Sequence, residues 1–500
     1  MPCWLTARAC REWTRLVAGV IALASALGVS GALAATSAQA KADRPNFVVI
    51  LADDLGFSDL GCYGGEIATP NIDQLAAQGL RYTQFYSTAR CWPTRGAMLT
   101  GYYAQQVNRD ALPSDSGGGH GKRPSWAKLL PERLAALGYR SYHVGKWHLD
   151  GGYLASGWNR SYANEDSDRH FRPQWHALDD QPLEPVRAGD AYYSSDAIAD
   201  YAITFLKEHA AEHADQPFFA YLAFLAPHFP LQAPAEDIQR YRAVYAAGWD
   251  EIRRQRADRL QGELKIAAEL GPMEPRIGPP YNFPDVMRTF GAKEINHESP
   301  WDDLTEQQQA WQVEKMAVHA AMVDRMDQQI GRVLEQLRAM DALDNTVILV
   351  LSDNGASAEM MLRGDGHDPL SEPGAAESYV CLGPGWSRAA NTPFRRHKTW
   401  VHEGGIASPL IVHWPRNCRA QRTADRRRAR RRPDADAGEA GGRAVAAGGT
   451  RGVSARIAGR GPCADVCRRR IAGAGRVVVV PRRQPRPAAR GLEDCCRRRR

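Results

Sequence analysis

The order of apolar and periodic segments predicts an α/β fold: a large, mostly parallel sheet flanked by helices on both faces. Three observations carry that prediction. Apolar runs of strand length recur at 46–52 (NFVVILA), 217–228 (PFFAYLAFLAPH), 345–355 (NTVILVLSDNG) and 408–415 (SPLIVHWP). Their cores lack the polar alternation of a half-exposed strand, as burial on both faces requires. Segments of helical spacing lie between them, and two of the runs deliver polar pairs, Asp53-Asp54 and Asp353-Asn354.

Taken in order, the strand at 46–52 leads to TPNIDQLAAQGL, with Asn71 as N-cap and Gly79 as stop. SWAKLLPERLAALGY (125–139) repeats the helix-then-glycine pattern and runs into RSYHVGKWH (140–148). The longest helical signal runs from Thr305 to about Met340 and feeds the strand before Asp353. Residues 230–303, rich in proline and charge, read as an insertion over the surface rather than core.

Five hundred residues suffice for one large domain or two to three average ones. The net charge of +7 hides a split. From Cys418 onward there are 24 Arg and no Lys against 7 acidic residues; of the chain's 64 basic and 57 acidic residues this leaves 40 and 50 before it. The body is acidic. That last segment has one leucine and no aromatic residue, too little apolar surface to offset its ordering entropy. Residues 418–500 are therefore expected to be disordered, either as a basic tail that meets anionic surfaces or as a stretch read out of frame.

At the other end, Arg8, Arg11 and Arg15 precede the apolar run LVAGVIALASALGVSGALA, and Ala38-x-Ala40 offers a cleavage site. Residues 1–40 read as a secretory signal peptide, with a retained membrane anchor as the alternative. The expectation is export, periplasmic or secreted, with no membrane attachment after cleavage. Cys3 and Cys10 would leave with that signal and five cysteines fall in the tail, so only Cys62, Cys91 and Cys381 remain in the body. An odd number of body thiols does not make a disulfide framework.

In open α/β sheets ligands gather outside the carboxyl ends of strands. Asp53, Asp54, Asp353 and Asn354 meet that edge as an all-oxygen donor set suited to Ca²⁺ or Mg²⁺ rather than zinc. Arg95, Lys146, His148, His228 and Lys398 are further polar candidates, each unremarkable alone. Several cations facing a metal would build a site for a tetrahedral anion such as sulfate or phosphate. Cys91, in CWPTRGAMLTG, is on these grounds a disulfide half, a buried filler or a nucleophile.

CWPTRGAMLTG (91–101) resembles the C-x-P-S/T-R-x-x-x-L-T-G signature of the sulfatase family, a branch of the alkaline phosphatase superfamily. RPNFVVILADDLGFSDLGCYGG, TPNIDQLAAQGLRYTQFYS, GYRSYHVGKWHL, APHFPLQAP, VLSDNG and NTPFRRHKTWVHEGGI are similar to other family blocks, in the expected order. The resemblance spans residues 44–417 and implies an alkaline phosphatase-like fold for a catalytic domain of that extent. It implies sulfate ester hydrolysis in the manner of an arylsulfatase, on a small-molecule or glycan ester. It also implies that a formylglycine-generating enzyme converts Cys91 to formylglycine, whose hydrate attacks sulfur and then expels sulfate. Asp53, Asp54, Asp353 and Asn354 would hold Ca²⁺ (or Mg²⁺), with residue 91 completing the set. Asp353 would serve as base, Arg95 would orient residue 91, and Lys146 and Lys398 would bind sulfate oxygens. His228 would protonate the leaving group, and His148 would assist elimination.

Three departures qualify the match. Thr94 replaces the commoner serine, Asp150 stands where glycine is usual, and residues 418–500 do not resemble the family's small C-terminal α+β domain, which is expected to be missing or garbled. Two further readings remain: a phosphonate monoester or phosphodiester hydrolase built on the same machinery, and an inactive truncated product with a basic tail. No specific nucleic acid partner is expected.

Overall fold

The computed structural model describes residues 44–416, except 112–117, 120, 267–268, 279–283 and 364, and also residues 456–457. The expected signal peptide and, apart from that last pair, the arginine-rich tail lie outside the described residues. Among the described residues the ten strands are β1 Asn46–Ala52, β2 Leu80–Gln84, β3 Arg140–Gly145, β4 Arg160–Asn164, β5 His176–Leu178, β6 Gln181–Pro182, β7 Phe218–Ala223, β8 Thr346–Ser352, β9 Leu410–His413 and β10 Arg456–Ile457. They form one sheet in the order β10-β2-β9-β8-β1-β7-β3-β4-β5-β6. The centre, β8-β1-β7-β3-β4, is parallel. Both margins are antiparallel, so the sheet is mixed around a parallel core.

Alternate residues of β1 face opposite cores. Val48 and Ile50 join the apolar cluster that contains the helices Pro70–Gln78, Ser194–Glu212 and Glu306–Ala339. Val49 and Leu51 join the cluster of Leu99, Leu129, Leu134 and Trp147 on the other face. A strand covered on both sides has no solvent face to mark with polar residues, which is why its sequence is a continuous apolar run. Helices therefore lie on both faces, as expected.

The long helix occupies Glu306–Ala339 behind a capping box in which Thr305 and Gln308 satisfy each other's backbone N–H groups. At the Pro70–Gln78 helix the cap differs from the expectation. Thr69 holds the N-cap position, while Asn71 turns its amide to Asp327 of the long helix at 2.9 Å. Gly79 does end this helix, and a Cβ there would meet the Val412 carbonyl at 2.4 Å. Cys62, Cys91 and Cys381 are buried free thiols.

Residues 230–303 overturn the surface reading. Tyr245, Trp249, Ile252 and Leu260 belong to the main core, and Trp249 packs edge-on against Trp301 and Trp386 at centroid distances of 4.8 and 5.5 Å. Charge misled the reading because part of it points inward. Arg256 of the Gly248–Leu264 helix is fully buried, with Nη1 on Asp59 at 2.8 Å and Nη2 on Glu66 at 2.6 Å. Replacing Trp249 by Ala should cost about 3–5 kcal/mol. A surface insertion would lose under about 0.5 kcal/mol, and denaturant unfolding separates the two.

Candidate active site

The parallel register of β1 and β8 pairs Ala52 with Ser352. The next residues, Asp53-Asp54 and Asp353-Asn354, therefore emerge side by side from neighbouring strand ends. The Asp353 N–H donates to the Ala52 carbonyl at 3.2 Å, and the Asp53 N–H donates to Ala226 at 3.1 Å. β7 lies on the other side of β1 and leads to His228, and β3 beyond it leads to Lys146. Four adjacent strands thus deliver most of the site.

Cys91 enters from a different direction, as the first residue of the Cys91–Thr100 helix. Its Sγ lies within 4.8 Å of carboxylate oxygens of Asp53 and Asp353. A position at a helix start is favourable for an anion, because free backbone N–H groups and the helix dipole point there. One turn on, Arg95 is wholly buried, with Nε and Nη2 on Asp353 Oδ2 at 2.9 and 2.8 Å and Nη1 on the Lys146 carbonyl at 3.1 Å. Thr94 keeps the role of a hydroxyl, bonding Thr88 Oγ1 at 2.7 Å and accepting from the Thr88 N–H at 3.0 Å.

Lys146 is paired with Asp53. Lys398 reaches Asp54 Oδ2 at 2.8 Å, and His228 Nε2 stands 3.7 Å from the same oxygen. Burial raises carboxyl pKa values throughout, but the Lys146 and Arg95 charges outweigh it at Asp53, which is held well below the usual range. At Asp353 burial and the Asp53 charge win over Arg95, and the carboxyl is pushed up to about 7. Burial lifts the Cys91 thiol to about 11. Burial together with the Lys398 and Lys146 charges lowers His228 to about 3, leaving it neutral. Lys398 stays charged, because Asp54 and Glu359 outweigh its burial.

Two buried oxygens, Asp53 Oδ1 and Asn354 Oδ1, have no hydrogen-bond partner. Buried acceptors are rarely left so. Together with the crowded carboxylates they fit a hard divalent cation, which would satisfy both oxygens and relieve the repulsion among Asp53, Asp54 and Asp353. Among the described residues, the only groups of possible ligating side chains are Asp53-Cys91-Asp353 and Asp53-Asp54-His228, both within this site.

His148 is brought to the rim, its ring 5.9 Å from that of Trp92 and its backbone at φ 56°. Its Nδ1 has no partner. Sequence reading missed the residues that hold this turn. Glu165, just past β4, accepts the Trp147 N–H at 2.7 Å. Arg109 donates to the His148 carbonyl at 2.7 Å. Asp150, the departure noted above, faces Arg109 and Arg123 at 3.7 Å each, so its charge is answered locally instead of facing the anion site. Glu359 was missed as well: it lies 2.9 Å from Lys398 Nζ. Nothing in the spacing of these residues marks them, since each acts through a contact made only on folding.

Residues 45–432 match the sulfatase family model. An arylsulfatase of Klebsiella aerogenes is 33% identical over 423 residues, covering 78% of this chain and 85% of that protein. An uncharacterized sulfatase of Schizosaccharomyces pombe is 33% identical over 416 residues, 75% of this chain and 71% of the other. Human N-acetylgalactosamine-6-sulfatase is 27% identical over 383 residues, 74% and 57% of the two chains. Among solved structures, Ps i-CgsB in complex with k-i-k-neocarrahexaose superposes with a TM-score of 0.50 at 22% identity, over 75% of this chain and 67% of that one. That likeness is one of fold, the alkaline phosphatase-like sheet and its two helical layers. With its site residues converging at the carboxyl edge of that sheet, the chain belongs to the sulfatase family, the enzymes that hydrolyse sulfate esters.

Proposed function

We propose that this sulfatase is exported and acts through a formylglycine made from Cys91 by a formylglycine-generating enzyme, with Ca²⁺ as its metal. The observation that carries the proposal is the position of Cys91: at a helix start, its Sγ within 4.8 Å of Asp53 and Asp353 oxygens, in a pocket where Arg95, Lys146 and Lys398 are buried beside the carboxylates. Hydrated formylglycine supplies one hydroxyl to attack sulfur and a second whose deprotonation expels sulfate, so no water need attack a sulfate ester. Asp53, Asp54, Asp353 and Asn354 would hold Ca²⁺, a Lewis acid that polarises sulfate oxygens.

The chain's own residues do the rest. Arg95 fixes Asp353 through two N–H groups on one oxygen, which points that carboxyl at residue 91 as its base. Lys146, just past the end of β3, and Lys398, in the loop between the Pro384–Ala390 and Glu403–Ile406 helices, offer charged donors to the sulfate oxygens. Lys398, which stays charged beside Asp54 Oδ2, is placed to pass a proton to the leaving oxygen, and His228, 3.7 Å from the same Asp54 oxygen, would share that task only in its protonated form. Arg109 and Glu165 hold the Lys146–His148 turn, so that His148 can accept the proton during elimination. Low exposure of these groups strengthens each interaction with the anion.

Tryptic mass spectrometry of the full chain from its own host should show the Cys91–Arg95 peptide as formylglycine and the mature N-terminus at Lys41. An unmodified thiol there, in protein that still turns over sulfate esters, would refute the role of residue 91. Cys91→Ala should lose turnover altogether.

Metal removal gives a separate check. EDTA should abolish hydrolysis of 4-nitrophenyl sulfate and added Ca²⁺ should restore it. Full activity after exhaustive chelation would exclude the metal.

Paired esters of one phenol decide the ester class. The sulfate ester should be hydrolysed with a higher kcat/KM than the phosphodiester or phenyl phosphonate. The reverse order would assign the chain to phosphonate monoester or phosphodiester hydrolysis with the same residues.

A further inference from the structure

Lys398 is asked to do something that its nearest neighbour opposes. Its ammonium lies 2.8 Å from Asp54 Oδ2, and Asp54 is one of the carboxylates assigned above to the metal. A lysine neutralising that carboxylate makes it a poorer ligand and spends the charge meant for sulfate. The structure holds a second carboxylate at the same ammonium. Glu359 Oε2 lies 2.9 Å from Lys398 Nζ, and both side chains are buried.

The way Glu359 is built into the fold fits a counter-charge. It sits six residues past Asp353 in the segment that leaves β8, where Ser357 braces it twice. The Ser357 hydroxyl donates to Glu359 Oε2 at 3.1 Å and accepts the Glu359 N–H at 3.1 Å. The Lys398 backbone is tied to the same segment, its N–H donating to the Ala356 carbonyl at 3.0 Å. His397, the preceding residue, is locked by Glu298 at 2.9 Å and by Ser387. Lysine and glutamate are thereby mounted on one short piece of backbone framework. The Phe229 ring centroid lies 5.3 Å from Nζ.

An ammonium has three N–H donors. Here one donates to Asp54 Oδ2, and Glu359 stands at ion-pair distance from the same ammonium. When Asp54 turns its oxygens to a cation, Glu359 is the carboxylate that keeps Lys398 anchored and charged. We propose that Glu359 is a positioning residue of this site: it gives Lys398 a second carboxylate to hold when Asp54 turns to the metal, so that Asp54 serves the metal and Lys398 serves the sulfate group. This rests on the metal and sulfate roles proposed above.

The test measures Ca²⁺ binding by titration calorimetry, and hydrolysis of 4-nitrophenyl sulfate, on the full chain and four variants. Glu359→Gln should weaken Ca²⁺ binding about 10- to 100-fold, the usual size for residues that orient metal ligands. At saturating Ca²⁺ it should lower kcat and raise KM, because Lys398 is no longer held for the anion. Glu359→Asp keeps the charge and should recover most of both losses. The decisive comparison is made without the lysine. If Glu359 acts through Lys398, Lys398→Met and the double variant Glu359→Gln with Lys398→Met should bind Ca²⁺ equally.

Three results overturn the proposal: Glu359→Gln binding Ca²⁺ like wild type, Glu359→Asp failing as badly as Glu359→Gln, or the Glu359→Gln loss persisting in full when Lys398 is Met. Thermal melts of each variant show whether a loss reflects unfolding, and Glu359→Asp carries the test if Glu359→Gln does not fold. A wild-type chain that binds no Ca²⁺ would instead overturn the metal assignment itself, and this proposal with it.

Discussion

Three carboxylates buried at one edge of one sheet are the constraint on which the rest of this structure depends. Asp53, Asp54 and Asp353 are each almost completely shielded from water, and an uncompensated charge in such a place costs several kcal/mol. The fold answers with Arg95, Lys146 and Lys398, every one of them buried and drawn from a different part of the chain. Without those cations the sheet edge would not close. With them, the edge becomes a place where charge is concentrated and water is scarce. Stability and chemistry are served by the same six groups.

The balance is uneven by design of the geometry. Asp53 has two cations close by and stays ionised, whereas Asp353, with Asp53 beside it, is pushed to about 7. Carboxyls of one type are thus driven apart in character by their neighbours. The surrounding scaffold matters for the same reason. Residues such as Glu165 and Arg109 touch no part of the anion pocket directly, yet they set the turn on which Lys146 and His148 ride.

Much of this is legible in the sequence. β1, β7, β8 and β9 announce themselves as apolar runs because burial on both faces leaves no polar signal to confuse them. The carboxylate pairs follow directly from strand ends, and the long helix from its apolar spacing. What failed to show had a common cause. Arg256, Asp59 and Glu66 are charged residues facing inward, so composition placed 230–303 on the surface when Trp249 lies at the centre of the core. Asn71 looked like a cap because its type suits one, but its partner is Asp327 on another helix. Glu359 and Arg109 gain their roles only from tertiary contact. Antiparallel margins were missed too, for short strands such as β5 and β6 carry almost no periodicity.

One feature of the Cys91–Thr100 helix has a bearing on time rather than on energy. Cys91, Trp92, Pro93, Thr94 and Arg95 are all buried, and Arg95 has no exposure at all. Its partners lie far along the chain; Asp353 is separated from it by 258 residues. Another protein that reads these five residues cannot reach them once β8 has taken its place beside β1. The conversion proposed for the Cys91 sulfur would therefore belong to the young chain, before the sheet is complete. Folding then acts as the deadline, and a copy that closes early is sealed with whatever side chain it carries at that moment.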